Sequence, residues 1–193
     1  MKHNELADAV RDGLFQAASR TYAEQYLEPI IRAKFGLKPP SGGDHDAIDN
    51  HGSRFEIKAS KVLQTRENRA GSRSLLNRVL YEAEGTPLSR YFDSKHRFTH
   101  NYDANIQNVK RDHFDYLIYA LLFKDTIMIF QAHKTEIEKG KFSNWSDKHG
   151  RYDQEGKSGQ FPISKTNIKW HEDRYLQCSL GYNEVVDILK GIT

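Results

Sequence analysis

Three residues in the first third of the chain have the types and spacing of a hydrolytic site. Glu56 and Lys58 stand two apart in the run Ser53–Ser60, where Phe55 and Ile57 alternate with polar residues. That period is the mark of a half-buried strand. Residues i and i+2 of a strand share a face, roughly 6.6 Å apart along it. Glu56 and Lys58 therefore project together, and Phe55 and Ile57 point the other way, into a core. Upstream, Asp44, Asp46 and Asp49 lie in or beside a second strand-like run, His45–Asp49, joined to the first through Asn50-His51-Gly52. Across such a hairpin an aspartate comes close to Glu56. Two carboxylates at one spot repel unless a cation joins them, and oxygen-only donors suit magnesium. A lysine beside that cation orients a water, lowers its pKa or offsets charge developing on a phosphorane. The chemistry these residues can do is hydrolysis of a phosphodiester.

The flanking segments must hold the hairpin. Leu6, Ala7, Val10, Leu14, Phe15 and Ala18 recur at helical spacing and predict a helix over 4–18. A second helix is expected from about Thr21 to Phe35, with Thr21-Tyr22-Ala23-Glu24 in the form of a capping box and Pro29 expected to kink or divide it. Gly36 and then Pro39-Pro40-Ser41-Gly42-Gly43 end it in a loop. Downstream, a helix around Ser74–Glu84, an exposed loop over 87–102 and a short helix around Asp103–Arg111 are expected. Phe114–Phe123 and Thr126–Gln131 are nearly continuous apolar runs, the pattern of strands buried on both faces. Residues 140–161 read as a long loop, and Asn183–Leu189 as a helix with Val185, Val186 and Leu189 inward. One α/β domain around a mixed sheet follows, in the order N-terminal helices (4–35), hairpin (44–60), basic segment (61–112), then core strands and C-terminal helix (113–193).

With these residues in place, the chain resembles the PD-(D/E)xK nuclease superfamily, which includes most type II restriction endonucleases. The family places an Asp near the start of one strand and, after a variable gap, Glu-x-Lys on the next. Asp46 followed by Glu56-Ile57-Lys58 matches, as do the apolar pair Ala47-Ile48 and the turn residue Gly52. Asp46 is preferred over Asp44 and Asp49 because the apolar strand residues follow it directly; His45 stands where the name-giving proline would be. The family often adds a glutamate from an N-terminal helix. Glu24 is the better match and Glu28, one turn later, the alternative, with Glu24 equally readable as part of the capping box. Phe114-Asp115-Tyr116-Leu117 resembles the aromatic-Asp-apolar start of the strand after the motif.

The resemblance covers about residues 20–125. It implies a restriction-endonuclease-like fold with a central mixed β-sheet flanked by helices. It implies catalysis by Glu24, Asp46, Glu56 and Lys58, with Asp46 and Glu56 holding Mg²⁺ and Lys58 positioning the attacking water. The expected activity is cleavage of double-stranded DNA at a short specific sequence, leaving 5′-phosphate ends, by a homodimer where the target is palindromic. The alternatives are a repair, mismatch or junction nuclease of the same fold, and a DNA-binding module without catalysis; a broken motif would mark the latter, and here the motif is intact.

Charge is distributed to suit a polyanion. Residues 54–97 carry 10 Lys or Arg against 5 Asp or Glu, while residues 1–50 carry 6 against 8. Lys61, Arg66, Asn68, Arg69, Arg73, Asn77 and Arg78 follow the Glu-x-Lys strand directly and are the expected DNA-binding residues. Arg and Asn are the types that read guanine and adenine edges, and most such residues contact phosphate. His96, His100, Asn101 and His113 lack the spacing of a ββα-metal nuclease. Cys178 is the single cysteine, which excludes a disulfide framework and points to a reducing, cytoplasmic setting. No glycine-rich phosphate loop is present, so no nucleotide cofactor is expected. No apolar run nears the roughly 20 residues of a membrane span, so no membrane partner is expected either.

Overall fold

The computed structural model describes residues 2–16, 20–40, 42–65, 90–147 and 158–192, with the side chains of 16–25 outside that description. The expected helix at 74–84 and the expected DNA-binding residues Arg66, Asn68, Arg69, Arg73, Asn77 and Arg78 lie outside the described residues.

Two helices open the chain, α1 (His3–Gln16) and α2 (Arg20–Phe35). Helix α2 runs through Pro29 without dividing. It starts at Arg20, so Thr21 lies inside it and not at its cap. It ends where Gly36 takes a left-handed φ of 65° and Leu37 N–H donates to the Arg32 carbonyl at 2.8 Å. That backbone turn satisfies a carbonyl the helix leaves open, and glycine adopts it without a Cβ penalty.

The hairpin follows as β1 (Ala47–Ile48) and β2 (Arg54–Lys61), antiparallel with Ala47 opposite Phe55. Gly52 supplies a φ of 82° in the turn. After β3 (Leu63–Gln64) come β4 (Tyr102–Val109), β5 (Tyr116–Leu122), β6 (Thr126–His133) and β7 (Gly159–Ile163). The chain closes with α3 (Ile168–Tyr175), β8 (Leu176–Gly181) and α4 (Tyr182–Ile192).

The strands make a five-stranded mixed sheet, β1-β2-β5-β6-β8, and a three-stranded antiparallel sheet, β3-β4-β7. In the larger sheet only β2 and β5 pair in parallel, with Glu56 beside Leu117 and Lys58 beside Tyr119. Alternation then sorts the core into two layers. Phe55, Ile57 and Ala59 join Ile118, Ala120 and Leu122 against Leu27, Ile30 and Ile31 of α2, Leu14 and Phe15 of α1, and Val185 and Val186 of α4. On the opposite face, Leu117, Tyr119, Met128 and Phe130 pack against Tyr102, Ala104 and Ile106 of β4, Phe161 of β7 and Tyr175 of α3. Each fully buried side chain of this size contributes about 1.5–3 kcal/mol.

Several expectations are corrected. In place of a helix over 103–111, Tyr102–Val109 form strand β4 and Arg111–His113 a single 3-10 turn: Tyr102, Ala104 and Ile106 are buried and the residues between them are not, a period of two. Tyr91 and Phe92 are buried, so exposure in the described part of 87–102 is confined to residues after them, such as Lys95, Phe98, Thr99 and Asn101. Gly159 to Phe161 belong to β7 and not to a long loop. A Cβ on Gly159 would meet the Trp145 ring at 2.0 Å, so the close approach of strand and indole requires glycine there. Among the described residues no helix is long and apolar enough to cross a membrane.

Candidate active site

Strand β2 carries two chemistries on its two faces. Its odd positions bury in the helix layer. Its even positions Glu56, Lys58 and Ser60 are the buried polar residues of the strand and turn toward β4. At the far end of β2 the Ser60 hydroxyl accepts from the Asn105 main-chain N–H of β4 at 3.0 Å. Along Phe55–Lys61, β2 pairs in parallel with β5, and its even face looks across to β4 of the smaller sheet. Glu56 and Lys58 therefore stand between the two sheets.

Asp46 enters from the residue just before β1. Its N–H donates to the Phe55 carbonyl at 2.9 Å, which continues the hairpin ladder by one residue. Its Oδ2 accepts from the Ile57 main-chain N–H at 2.7 Å. The Lys58 Nζ is 2.6 Å from Glu56 Oε1 and 3.9 Å from Asp46 Oδ2. One ammonium thus faces both carboxylates, and the Asp46, Glu56 and Lys58 expected from the sequence are brought together.

Burial pushes the Glu56 carboxyl up to about 7; the neighbouring Lys58 opposes that rise and the Asp46 carboxylate adds to it. A buried carboxylate without enough positive charge around it takes a proton more readily, because low-dielectric surroundings penalise its charged form. Lys110, at the end of β4, adds a weaker attraction from across the gap. Strong perturbation of this kind, with a specific charge partner, is characteristic of functional sites.

The other expected residues separate. Asp49 accepts from the His51 and Ser53 N–H groups, both at 2.8 Å, and shapes the turn of the hairpin. Asp44 is exposed and lies 3.5 Å from His113 Nδ1. Glu28 accepts from Arg32 Nη1 at 3.4 Å within α2. Glu24 also belongs to α2, and its side chain lies outside the described residues. Lys61 is turned away from Glu56 and Lys58: its Nζ donates to the Phe15 carbonyl of α1 at 2.7 Å, and burial lowers its pKa. The odd position of Lys61 on β2 puts it on the helix side of the sheet. Asp115 holds the start of β2 and takes no part in the site.

Two residues near the site carried no usable sequence signal. Arg32 Nη1 donates to the Asp46 main-chain carbonyl at 3.2 Å; the i,i+4 spacing of Glu28 and Arg32 says only that they are neighbours on a helix. Lys110 is one basic residue among several ahead of β5.

Asp46 and Glu56 offer hard oxygen donors around a point that a cation, the Lys58 ammonium, already neighbours. The donor set therefore fits a small divalent ion. Among the described residues no group of three or more His, Cys, Asp and Glu side chains is gathered for a metal ion. No family model matches the chain, and no curated protein or solved structure matches it significantly.

Proposed function

We propose that this chain is a Mg²⁺-dependent endodeoxyribonuclease of restriction-endonuclease-like fold, cleaving double-stranded DNA at a short specific sequence. The observation that carries this reading is the single ammonium of Lys58 facing Glu56 at 2.6 Å and Asp46 at 3.9 Å across a hairpin. A structural ion pair would need one carboxylate. Here two converge, and the carboxyl of one is pushed up to about 7 by burial. Such an arrangement is costly in the absence of further positive charge.

Asp46 and Glu56 would hold the ion, which when bound supplies Lewis acidity toward phosphate and a more acidic water. The protein's own part is positional. Asp46 is fixed by the Ile57 N–H, so its carboxylate is set before any ligand arrives. Lys58, carried on the same strand face, donates toward the attacking water or a non-bridging phosphate oxygen and offsets charge as the phosphorus centre becomes five-coordinate. Glu56, 2.6 Å from the Lys58 Nζ, holds that ammonium on the face it shares with Asp46. The net charge of +5 over residues 54–97 suits a polyanionic substrate. A palindromic target calls for two copies of the chain, one per strand.

The test is incubation of the purified protein with unmethylated phage DNA in Mg²⁺, beside an EDTA control. Discrete fragments that disappear with EDTA are expected, and sequencing their ends gives the site. A smear would replace sequence-specific cleavage by nonspecific or structure-selective cleavage. Intact DNA that the protein nevertheless retards on a gel would support binding without catalysis.

A further inference from the structure

We propose that Arg32 is the positioning residue of this site, setting the Asp46 carboxylate from helix α2 through the Asp46 main-chain carbonyl. The inference rests on the reading of Asp46 and Glu56 as metal-holding carboxylates.

Asp46 needs an external hold because of where it lies. It follows a segment in which Gly42 and Gly43 adopt φ values of 150° and 105°, conformations that side chains rarely take. Strand β1 itself has only the two residues Ala47 and Ile48. So short a strand supplies little pairing of its own. Three contacts compensate. The Asp46 N–H donates to Phe55 on β2 at 2.9 Å, Ile48 exchanges main-chain bonds with Lys38 at 2.8 and 3.0 Å, and Arg32 Nη1 donates to the Asp46 carbonyl at 3.2 Å. The first two fix the strand on either side. The third ties the residue carrying the carboxylate to a rigid helix.

Arg32 is suited to that task. Its side chain is only 21% exposed, and the same Nη1 lies 3.4 Å from Glu28 Oε2, which restrains the guanidinium from the other side. Its backbone is pinned as well, because its carbonyl accepts the Leu37 N–H that closes the helix. A guanidinium offers several donors in a fixed plane, and a lysine offers none of that planarity. Arg32 does not touch the Asp46 carboxylate; it acts through the backbone, and so through the 2.7 Å bond between Asp46 Oδ2 and the Ile57 N–H. Loss of such an outer contact typically costs 10–100-fold in metal affinity.

The readouts are Mn²⁺ binding to the full chain without DNA, by electron paramagnetic resonance titration, and hydrogen exchange of the Ile57 amide. Arg32→Ala is expected to weaken Mn²⁺ binding by about tenfold and to speed Ile57 exchange by a similar factor. Its circular dichroism spectrum should match that of the parent. Arg32→Lys, which retains a donor, should recover part of both. Asp46→Asn serves as the reference for a lost ligand. Mn²⁺ binding that falls in Asp46→Asn but is unchanged in Arg32→Ala overturns the role of Arg32 alone. A parent chain that binds no Mn²⁺, or binds it equally well after Asp46→Asn, overturns the metal-site reading and this inference with it. If Arg32→Ala unfolds, Arg32→Lys decides: Mn²⁺ affinity below the parent's together with faster Ile57 exchange supports the positioning role, and either one equal to the parent's overturns it.

Discussion

Strand β2 meets two carboxylate–cation clusters on the same face, two residues apart, and they behave in opposite ways. At Arg54 the partner is Asp115. Its oxygens accept from Arg54 Nε at 3.2 Å, Arg54 Nη2 at 3.1 Å, the Arg54 main-chain N–H at 3.0 Å and Lys134 Nζ at 2.9 Å. These donors, the Arg54 side chain first, hold the Asp115 carboxyl well below the usual carboxylate range. At Glu56 the donors are fewer and the surroundings drier, and the carboxyl rises to about 7. The side chain of Asp115 is 28% exposed and that of Glu56 6%. The same pairing of carboxylate with cation thus gives a clamp in one place and a carboxyl raised by burial in the other. The difference lies in the ratio of hydrogen-bond donors to burial. A saturated ion pair has nothing left to offer a substrate, whereas an undersaturated one is stabilised by whatever cation or proton arrives.

The sharpest way to separate the clusters is to delete the cation of each. Lys58→Ala should lower DNA cleavage by about a thousandfold, a loss of the size seen when a charge-stabilising donor is removed. Arg54→Ala should leave cleavage within about tenfold of the parent, since Arg54 serves the fold. Equal losses in a cleavage time course would erase the distinction.

The next largest effect is a gain. Because the Glu56 carboxyl titrates near 7 in the fold and near 4.5 when unfolded, the folded chain binds more protons between those values. Its stability from this group is present at low pH and is lost as pH rises through about 7. Glu56→Gln, which is permanently neutral, should therefore stabilise the metal-free protein at pH 8 by about 1–3 kcal/mol, with the advantage gone by pH 4.5. Thermal melts at several pH values measure it. A destabilised Glu56→Gln at pH 8 would mean that the Lys58 pair outweighs burial.

Asp115→Asn should cost about 1 kcal/mol, the modest worth of a partly exposed but well-donated ion pair. The sign with pH is opposite to that of Glu56. Asp115 has a depressed folded pKa, so its contribution is present above about 4, the unperturbed carboxylate value, and fades as acid protonates it. The gap between parent and variant in urea unfolding should narrow below that pH. Smallest of all, Asp49→Asn should change cleavage by less than about twofold, because an amide oxygen can still accept at the turn. A large loss there would move the site from Asp46 to Asp49.

Much of this contrast was readable in the residues. The alternation of Phe55 and Ile57 with Glu56 and Lys58 is enough to place the two faces of β2, and the apolar run from Phe114 marks the buried strand beside it. Strand β4 was not readable as such, because Asp103, Asn105, Gln107 and Asn108 are poor strand formers and only tertiary burial of Tyr102, Ala104 and Ile106 selects the strand. Segment 162–181 yielded no expectation; its helix α3 is held by contacts such as His171 Nδ1 with the Tyr119 hydroxyl at 2.8 Å, which join residues far apart in the chain. Lys61 misled for a simple reason: adjacency to Lys58 suggested a shared role, but three positions along a strand is the opposite face. Arg32 was invisible because a helix residue reaching a main-chain carbonyl leaves no trace in spacing.

The two-faced strand has one more consequence, for errors in folding. A slip of β2 by a single residue against β5 would carry Glu56 and Lys58 into the layer lined by Leu27, Ile30 and Ile31, and would push Phe55 and Ile57 out between the sheets. The same shift that would scatter Asp46, Glu56 and Lys58 also inverts the core, so the cluster and the stability are lost together.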